Sequence, residues 1–188
     1  MQVFRGIPER SDHGCVLTIG NFDGVHRGHQ ALLAKLRAKS RANGLPSAVL
    51  TFEPHPREYF THENRPIRLT SLREKLQRIA DQGVDRLYIG RFNARFAALT
   101  AEQFIEEILV RGLGARHLMI GDDFRFGKGR QGDFALLEAT GKTAGFTVEA
   151  MHTLVHEGER VSSSAVREAL AEGDMPHAAR LLGHPYSI

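Results

Sequence analysis

The stretch "TIGNFDGVHRGHQALLAKL" (residues 18–36) changes character twice in quick succession. An apolar approach ends at Gly20, "NFDG" has the composition of a tight turn, and an amphipathic run begins near Arg27 or Gly28. Strand, turn and helix in that order are the opening unit of an α/β fold. His26 and His29 stand three apart at the start of this helix, so both project from its first turn on one face. A helix start offers unpaired N–H groups and a partial positive charge, which suits an anion. Gly24 and Gly28 are small enough to let a phosphate approach the backbone closely.

The same alternation continues outward along the chain. Apolar, β-branched runs predict strands over residues 16–20, 48–53, 86–90, 117–121 and 146–151, and amphipathic runs predict helices over 28–42, 71–82, 100–110, 163–172 and 176–182. Asn43 and Gly44 stop the first helix. "SLRE" at 71–74 and "TAEQ" at 100–103 have capping-box spacing. Asp174 is the expected N-cap two residues before Pro176. The expected architecture is an open parallel sheet flanked by helices, with right-handed crossovers. Residues 54–69 and 122–132 are too long to be mere connectors, and binding residues are expected there.

Bulk properties bound the answer. A chain of 188 residues is one domain's worth, and 41% hydrophobic with 25% charged residues is the balance of an ordinary globular protein. No apolar run approaches the ~20 residues that span a bilayer, the N-terminus lacks a secretory pattern, and the single Cys15 leaves no internal disulfide. A cytoplasmic location without membrane partners is expected. The formal charge of +3 is compatible with a polyanionic ligand. With no polybasic tail, a nucleotide is expected rather than a nucleic acid.

Four segments carry chemistry, and each has a bland reading beside the functional one. His26 and His29 could be surface residues, metal ligands or phosphate donors; no third ligand falls at helical spacing, and the metal stays unknown. A dinucleotide fingerprint is absent after the first strand, and "GDDFRFGKG" fails as a Walker loop for want of Ser or Thr after Lys128. "VSSSAVREAL" (161–170) supplies more hydroxyls than a cap needs, with Arg167 one turn on, so it is either a plain helix start or a second phosphate clamp. "TFEPHP" (51–56) offers the aromatic face of Phe52, with His55 held between prolines. "GDDFRFGKGRQGD" (121–133) alternates Phe124 and Phe126 with Arg125, Lys128 and Arg130, which suits either a mobile basic loop or a planar phosphorylated ligand.

Taken together and in order, these four segments resemble the adenylyltransferase module of the bacterial riboflavin kinase/FAD synthetase family. "GNFDGVHRGH" is similar to that family's G-x-F-D-G-x-H-x-G-H, and the similarity runs essentially end to end. The resemblance implies a Rossmann-like nucleotidyltransferase fold and transfer of AMP from ATP, with Mg²⁺, to FMN, giving FAD and pyrophosphate. It implies ATP binding by Gly20, Asn21, Phe22, Asp23, Gly24, His26, Gly28 and His29 from the first block, and by Ser162, Ser163, Ser164 and Arg167 from the last. His26, His29 and Arg167 are the expected catalytic residues, and Phe52, Pro54, His55, Pro56, Asp123, Phe124 and Arg125 the expected FMN contacts.

It further implies a nucleotidyltransferase domain over residues 1–182, with 183–188 as the start of a connector to a C-terminal riboflavin kinase domain that this chain does not contain. Those last residues are expected to lack their packing partner. Two rival readings stand beside this one. The first is a nucleotidyltransferase of the same superfamily with another phosphate acceptor; the second is a flavin- or nucleotide-binding module without turnover.

Overall fold

The computed structural model describes residues 1–61, 66–121, 123–152, 154–156 and 158–187. Its elements in chain order are β1 (Gln2–Arg5), β2 (Cys15–Ile19), α1 (Arg27–Asn43), β3 (Ser47–Glu53), α2 (Pro56–Phe60), α3 (Leu72–Asp81), β4 (Arg86–Arg91) and α4 (Ala94–Ala97). There follow α5 (Ala101–Gln103), β5 (Ala115–Gly121), α6 (Phe134–Ala144), β6 (Thr147–Met151), β7 (Val155–His156), β8 (Glu159–Arg160), α7 (Ser163–Ala171) and α8 (Met175–Leu182). Helix α5 runs on as a wider π-type coil over Phe104–Gly112, in which Leu113 N–H reaches back five residues to the Ile108 carbonyl.

Six parallel strands form the main sheet in the order β1-β4-β3-β2-β5-β6. The chain leaves β2 toward β3 on one side and later returns to place β5 on the other. That reversal opens a crevice beyond the C-terminal ends of β2 and β5, where ligands of open α/β sheets bind.

Strand periodicity sorts the core. Leu17, Ile19, Leu50, Leu118 and Ile120 point to one face and pack with Phe104, Ile105, Leu109 and Leu137. Val16, Val49, Leu87 and Met119 point to the other and pack with Leu33 and Leu36 of α1 and Ile79 of α3. A third cluster joins Leu69, Val161, Val166, Leu181 and Leu182, fixing α7 and α8 beside the segment that precedes α3.

All five expected strands and all five expected helices are present within a residue or two. Both capping boxes form, Asp174 caps α8 through the His177 N–H at 2.9 Å, and Gly44 ends α1 with φ 61°. Strand β1 was not expected: its four residues are exposed and its ladder comes entirely from β4, so the local sequence carries little of its signal. The hairpin β7–β8 and helix α2, inside an expected loop, were also missed; α2 starts where His55 caps it and Pro56 takes the first helical position.

The described part of the tail also packs against the rest of the chain. Tyr186 joins the third cluster, His184 Nε2 lies 3.3 Å from the Gly24 carbonyl, and Ser187 Oγ donates to Glu74 at 3.4 Å. Among the described residues no helix is long and apolar enough to cross a membrane.

Candidate active site

The turn after β2 is held in a conformation that its residues would not choose. Phe22 has φ 51°, Gly24 φ 82° and the β-branched Val25 φ 42°, a left-handed path that is costly without glycine and persists only when its surroundings enforce it. The enforcement centres on Asp23. Its buried carboxylate accepts from the N–H of Leu69 at 3.0 Å, from the N–H of Thr70 at 3.2 Å and from Thr70 Oγ1 at 3.3 Å, and it forms a short ion pair with Arg167 Nη2. Gly24 N–H donates to Thr70 Oγ1 at 3.1 Å, and Ser163 Oγ donates to the Asp23 carbonyl at 2.9 Å. One carboxylate thus ties the turn to the entrance of α3 and the start of α7.

His26 caps α1: its Nδ1 accepts the His29 N–H at 3.3 Å. The His26 and His29 rings stack with centroids 3.7 Å apart and 16° between planes, and Phe22 closes on His29 at 4.9 Å. Burial drives the His26 pKa down to about 4, against weaker upward pulls from its own backbone and from Asp23. Burial, followed by His26 and Lys75, holds His29 well below the ordinary histidine range. A neutral His26 whose Nδ1 lone pair is occupied carries its proton on Nε2, so the ring presents one N–H donor. His29 Nδ1 is cut off from solvent and has no hydrogen-bond partner among the described residues.

Neighbouring protein atoms exclude a side chain at each glycine of this turn. A Cβ on Gly24 would come within 3.0 Å of Leu69 and 3.1 Å of Leu182. On Gly28 it would strike the His26 ring at 3.1 Å, and on Gly20 the Phe22 ring at 3.0 Å. Gly24 is buried among these neighbours, whereas Gly28 stays half-exposed at the start of α1. Phe22 is 1% exposed and belongs to the core, while Asn21 is half-buried and accepts from Thr51 Oγ1 through its carbonyl at 3.2 Å.

The three serines divide their work. Ser162 Oγ caps α7 by accepting the Ala165 N–H at 3.2 Å, Ser163 holds the turn, and Ser164 is exposed. Arg167 donates from Nε to the Ile67 carbonyl at 2.7 Å and from Nη2 to Asp23, leaving its outer N–H groups for a ligand.

Beyond the C-terminal end of β3, His55 caps α2 by accepting the Arg57 N–H at 3.0 Å, and burial lowers its pKa. Pro54, after a cis peptide bond, and Pro56 flank it half-buried. Phe52 is only 8% exposed, with Phe92 at 5.9 Å and Phe96 at 5.2 Å, so its ring is a core element and not the free aromatic face expected of it. Phe124 is half-buried and stacks on Phe126 at 5.7 Å. Asp123 is exposed and pairs with Arg160 at 3.6 Å, and Arg125 pairs with Asp133 at 3.1 Å. Asp122, part of the same segment, lies outside the described residues.

Sequence reasoning missed Arg68 and Lys75. Arg68 donates to both Glu53 and Glu58 at 2.6 Å. Lys75, only 5% exposed, shares the buried face of α3 with Ile79, four residues on. A lysine on an apolar stripe was the available signal.

Comparison with known proteins gives the site its context. Residues 8–165 match the family model described as FAD synthetase. The chain is 51% identical over its whole length to a bifunctional riboflavin kinase/FMN adenylyltransferase of Escherichia coli and 52% identical to one of Pseudomonas fluorescens; it spans 61% of the length of each. A crystal structure described as a macrolide-efflux protein from Streptococcus pneumoniae superposes with a TM-score of 0.82 at 26% identity, covering 99% of this chain and 63% of that one. A pantoate-β-alanine ligase from Francisella tularensis superposes at 0.57 with 13% identity over 96% of this chain and 78% of that one, a likeness of fold.

Proposed function

Because the chain belongs to the FAD synthetase family, we propose that it transfers the adenylyl group of ATP to the phosphate of FMN, giving FAD and pyrophosphate. The observation that carries this reading is the tethering of two helix starts through Asp23: the N-terminus of α1, with His26 and His29, and that of α7, with Ser162, Ser163, Ser164 and Arg167, are locked beside one crevice. Paired helix N-termini with one half-buried cation are suited to a triphosphate.

In this reading the FMN phosphate oxygen attacks the α-phosphorus in line, and the bond to the β-phosphate breaks with its electrons leaving on pyrophosphate. The phosphate nucleophile needs no side-chain base, so catalysis rests on position and charge. His26 donates through Nε2–H to a phosphate oxygen without itself changing protonation. Arg167 and Ser164 hold the outer phosphates, with Gly20, Asn21 and Gly28 forming the floor and Phe22, Asp23 and Gly24 holding its shape. Pro54, His55, Pro56, Asp123, Phe124 and Arg125 face the flavin side, and Phe52 braces it from beneath.

No group of three or more metal-ligating side chains occurs among the described residues, and both Asp23 oxygens are engaged. These residues do not fit a resident metal; Mg²⁺ belongs in this reading as ATP's counter-ion, and no step is routed through it. Residues 1–182 form the transferase domain, 183–188 lead toward the kinase domain of the parent protein, and the reaction is cytoplasmic.

The test is to incubate the purified chain with ATP and Mg²⁺ and, separately, FMN or riboflavin. FMN should be converted to FAD with release of pyrophosphate, and riboflavin should be left unchanged. Consumption of another phosphate acceptor in preference to FMN would overturn the acceptor; absence of pyrophosphate release would leave a binding module.

A further inference from the structure

Lys75 is a cation whose stem the fold encloses and whose ammonium has no protein partner among the described residues. It is 5% exposed, and among the described residues its ammonium makes no hydrogen bond or ion pair. The carboxylates whose charge it feels are Asp23, Glu53 and Glu58, and each is already held by an arginine: Asp23 by Arg167, and both glutamates by Arg68. Its stem is enclosed while its ammonium, not among the sealed unpartnered atoms, keeps an opening to solvent, so it is free to donate to a bound anion.

Its position is fixed with care. Lys75 lies one turn into α3, whose entrance is pinned to the phosphate turn by Leu69 and Thr70 on Asp23 and is closed by the Ser71–Glu74 capping box. Its charge bears on His29 from the first block and on His55 from the acceptor side. The pinning of α3 to Asp23 sets it next to the seam between the two halves of the site. That seam is where two anions must be pressed to within about 3–3.5 Å for in-line transfer, and a fixed cation there offsets their repulsion and the charge that builds in the transition state.

We propose that Lys75 is a catalytic residue of this site, its ammonium donating to the non-bridging oxygens of the acceptor phosphate and the α-phosphate as they meet. This rests on the adenylyl-transfer reading above. Lys75 neither gives nor takes a proton in the step; the acceptor oxygen forms the new bond to the α-phosphorus and pyrophosphate leaves with the electron pair.

Lys75→Met retains the buried stem and removes the charge. Its melting temperature should stay within a few degrees of the wild type, because the stem is kept and no protein hydrogen bond is lost. Its kcat for FAD formation should fall by at least about a hundredfold, with KM for ATP changed by less than about threefold. Lys75→Ala should recover part of its lost rate when ethylamine is added. Burial lowers the Lys75 pKa, against Asp23, Glu53 and Glu58 and together with Arg68. The wild-type rate should accordingly decline on the alkaline side as the ammonium is lost, and Lys75→Met should lack that limb. Wild type forming FAD while Lys75→Met turns over within threefold on the same pH profile would overturn the proposal. A wild type that forms no FAD would instead defeat the underlying functional reading.

Discussion

The His26 and His29 rings lie face to face, 3.7 Å between centroids, with the His26 Nδ1 taken by the backbone N–H of His29. The contact joins a helix cap to the ring one turn on, and it stands only while both rings are neutral.

Acid stability should report this directly. The unfolded chain takes up a proton at His26 near pH 6.5, whereas the folded chain refuses it until about pH 4. The unfolded state thus binds more protons between those values, so stability falls as pH drops through that window and is level above it. His26 alone contributes roughly 3 kcal/mol to that loss, and His29 acts in the same direction. Urea midpoints measured from pH 7.5 down to pH 4 would check it, and a flat profile would refute the neutral pair.

Cap and donor can be separated. Asparagine is a good N-cap, so His26→Asn should keep most of the stability while losing the Nε2–H and more than tenfold in adenylyl transfer. His26→Ala should lose the transfer and also about 1 kcal/mol of stability. Parallel denaturation and FAD-formation assays distinguish the two.

His29 carries no capping bond through its side chain, so His29→Ala should cost well over tenfold in FAD formation while circular dichroism keeps the wild-type spectrum. Unchanged turnover would remove His29 from the chemistry.

Asp23→Asn should be a stability variant more than a binding one. It unpairs Arg167 and weakens the acceptor for Leu69 and Thr70, a break in a buried network that costs about 3 kcal/mol. Chemical denaturation gives the figure. A variant as stable as the wild type would mean that the turn is held by other contacts.

Phe52→Ala should destabilise by about 3–4 kcal/mol, since the ring is 8% exposed between Phe92 and Phe96. Affinities for FMN and ATP, measured by flavin quenching and calorimetry, should decline together. Selective loss of FMN would restore Phe52 to direct flavin contact.

Local chemistry made much of this legible in the sequence. The caps at Ser71, Thr100 and Asp174 and the stop at Gly44 act within a few residues of themselves, and strand and helix periodicity are properties of short windows. The segment "GNFDGVHRGH" likewise marked the turn where the strained backbone was found. By contrast, β1 draws its hydrogen bonds from β4, more than eighty residues away in the register Gln2↔Arg86, so its four exposed residues announced little.

The sequence by itself determined the alternating α/β order and the family. Only the tertiary structure decided what each residue does. Asp23 became an organiser because residues 69, 70 and 167 converge on it, and Phe52 became core because Phe92 and Phe96 close over it. Lys75 lies beside the turn because α3 is pinned to it. Hydrogen bonding and desolvation depend on neighbours brought together through space, and no window of sequence contains those neighbours.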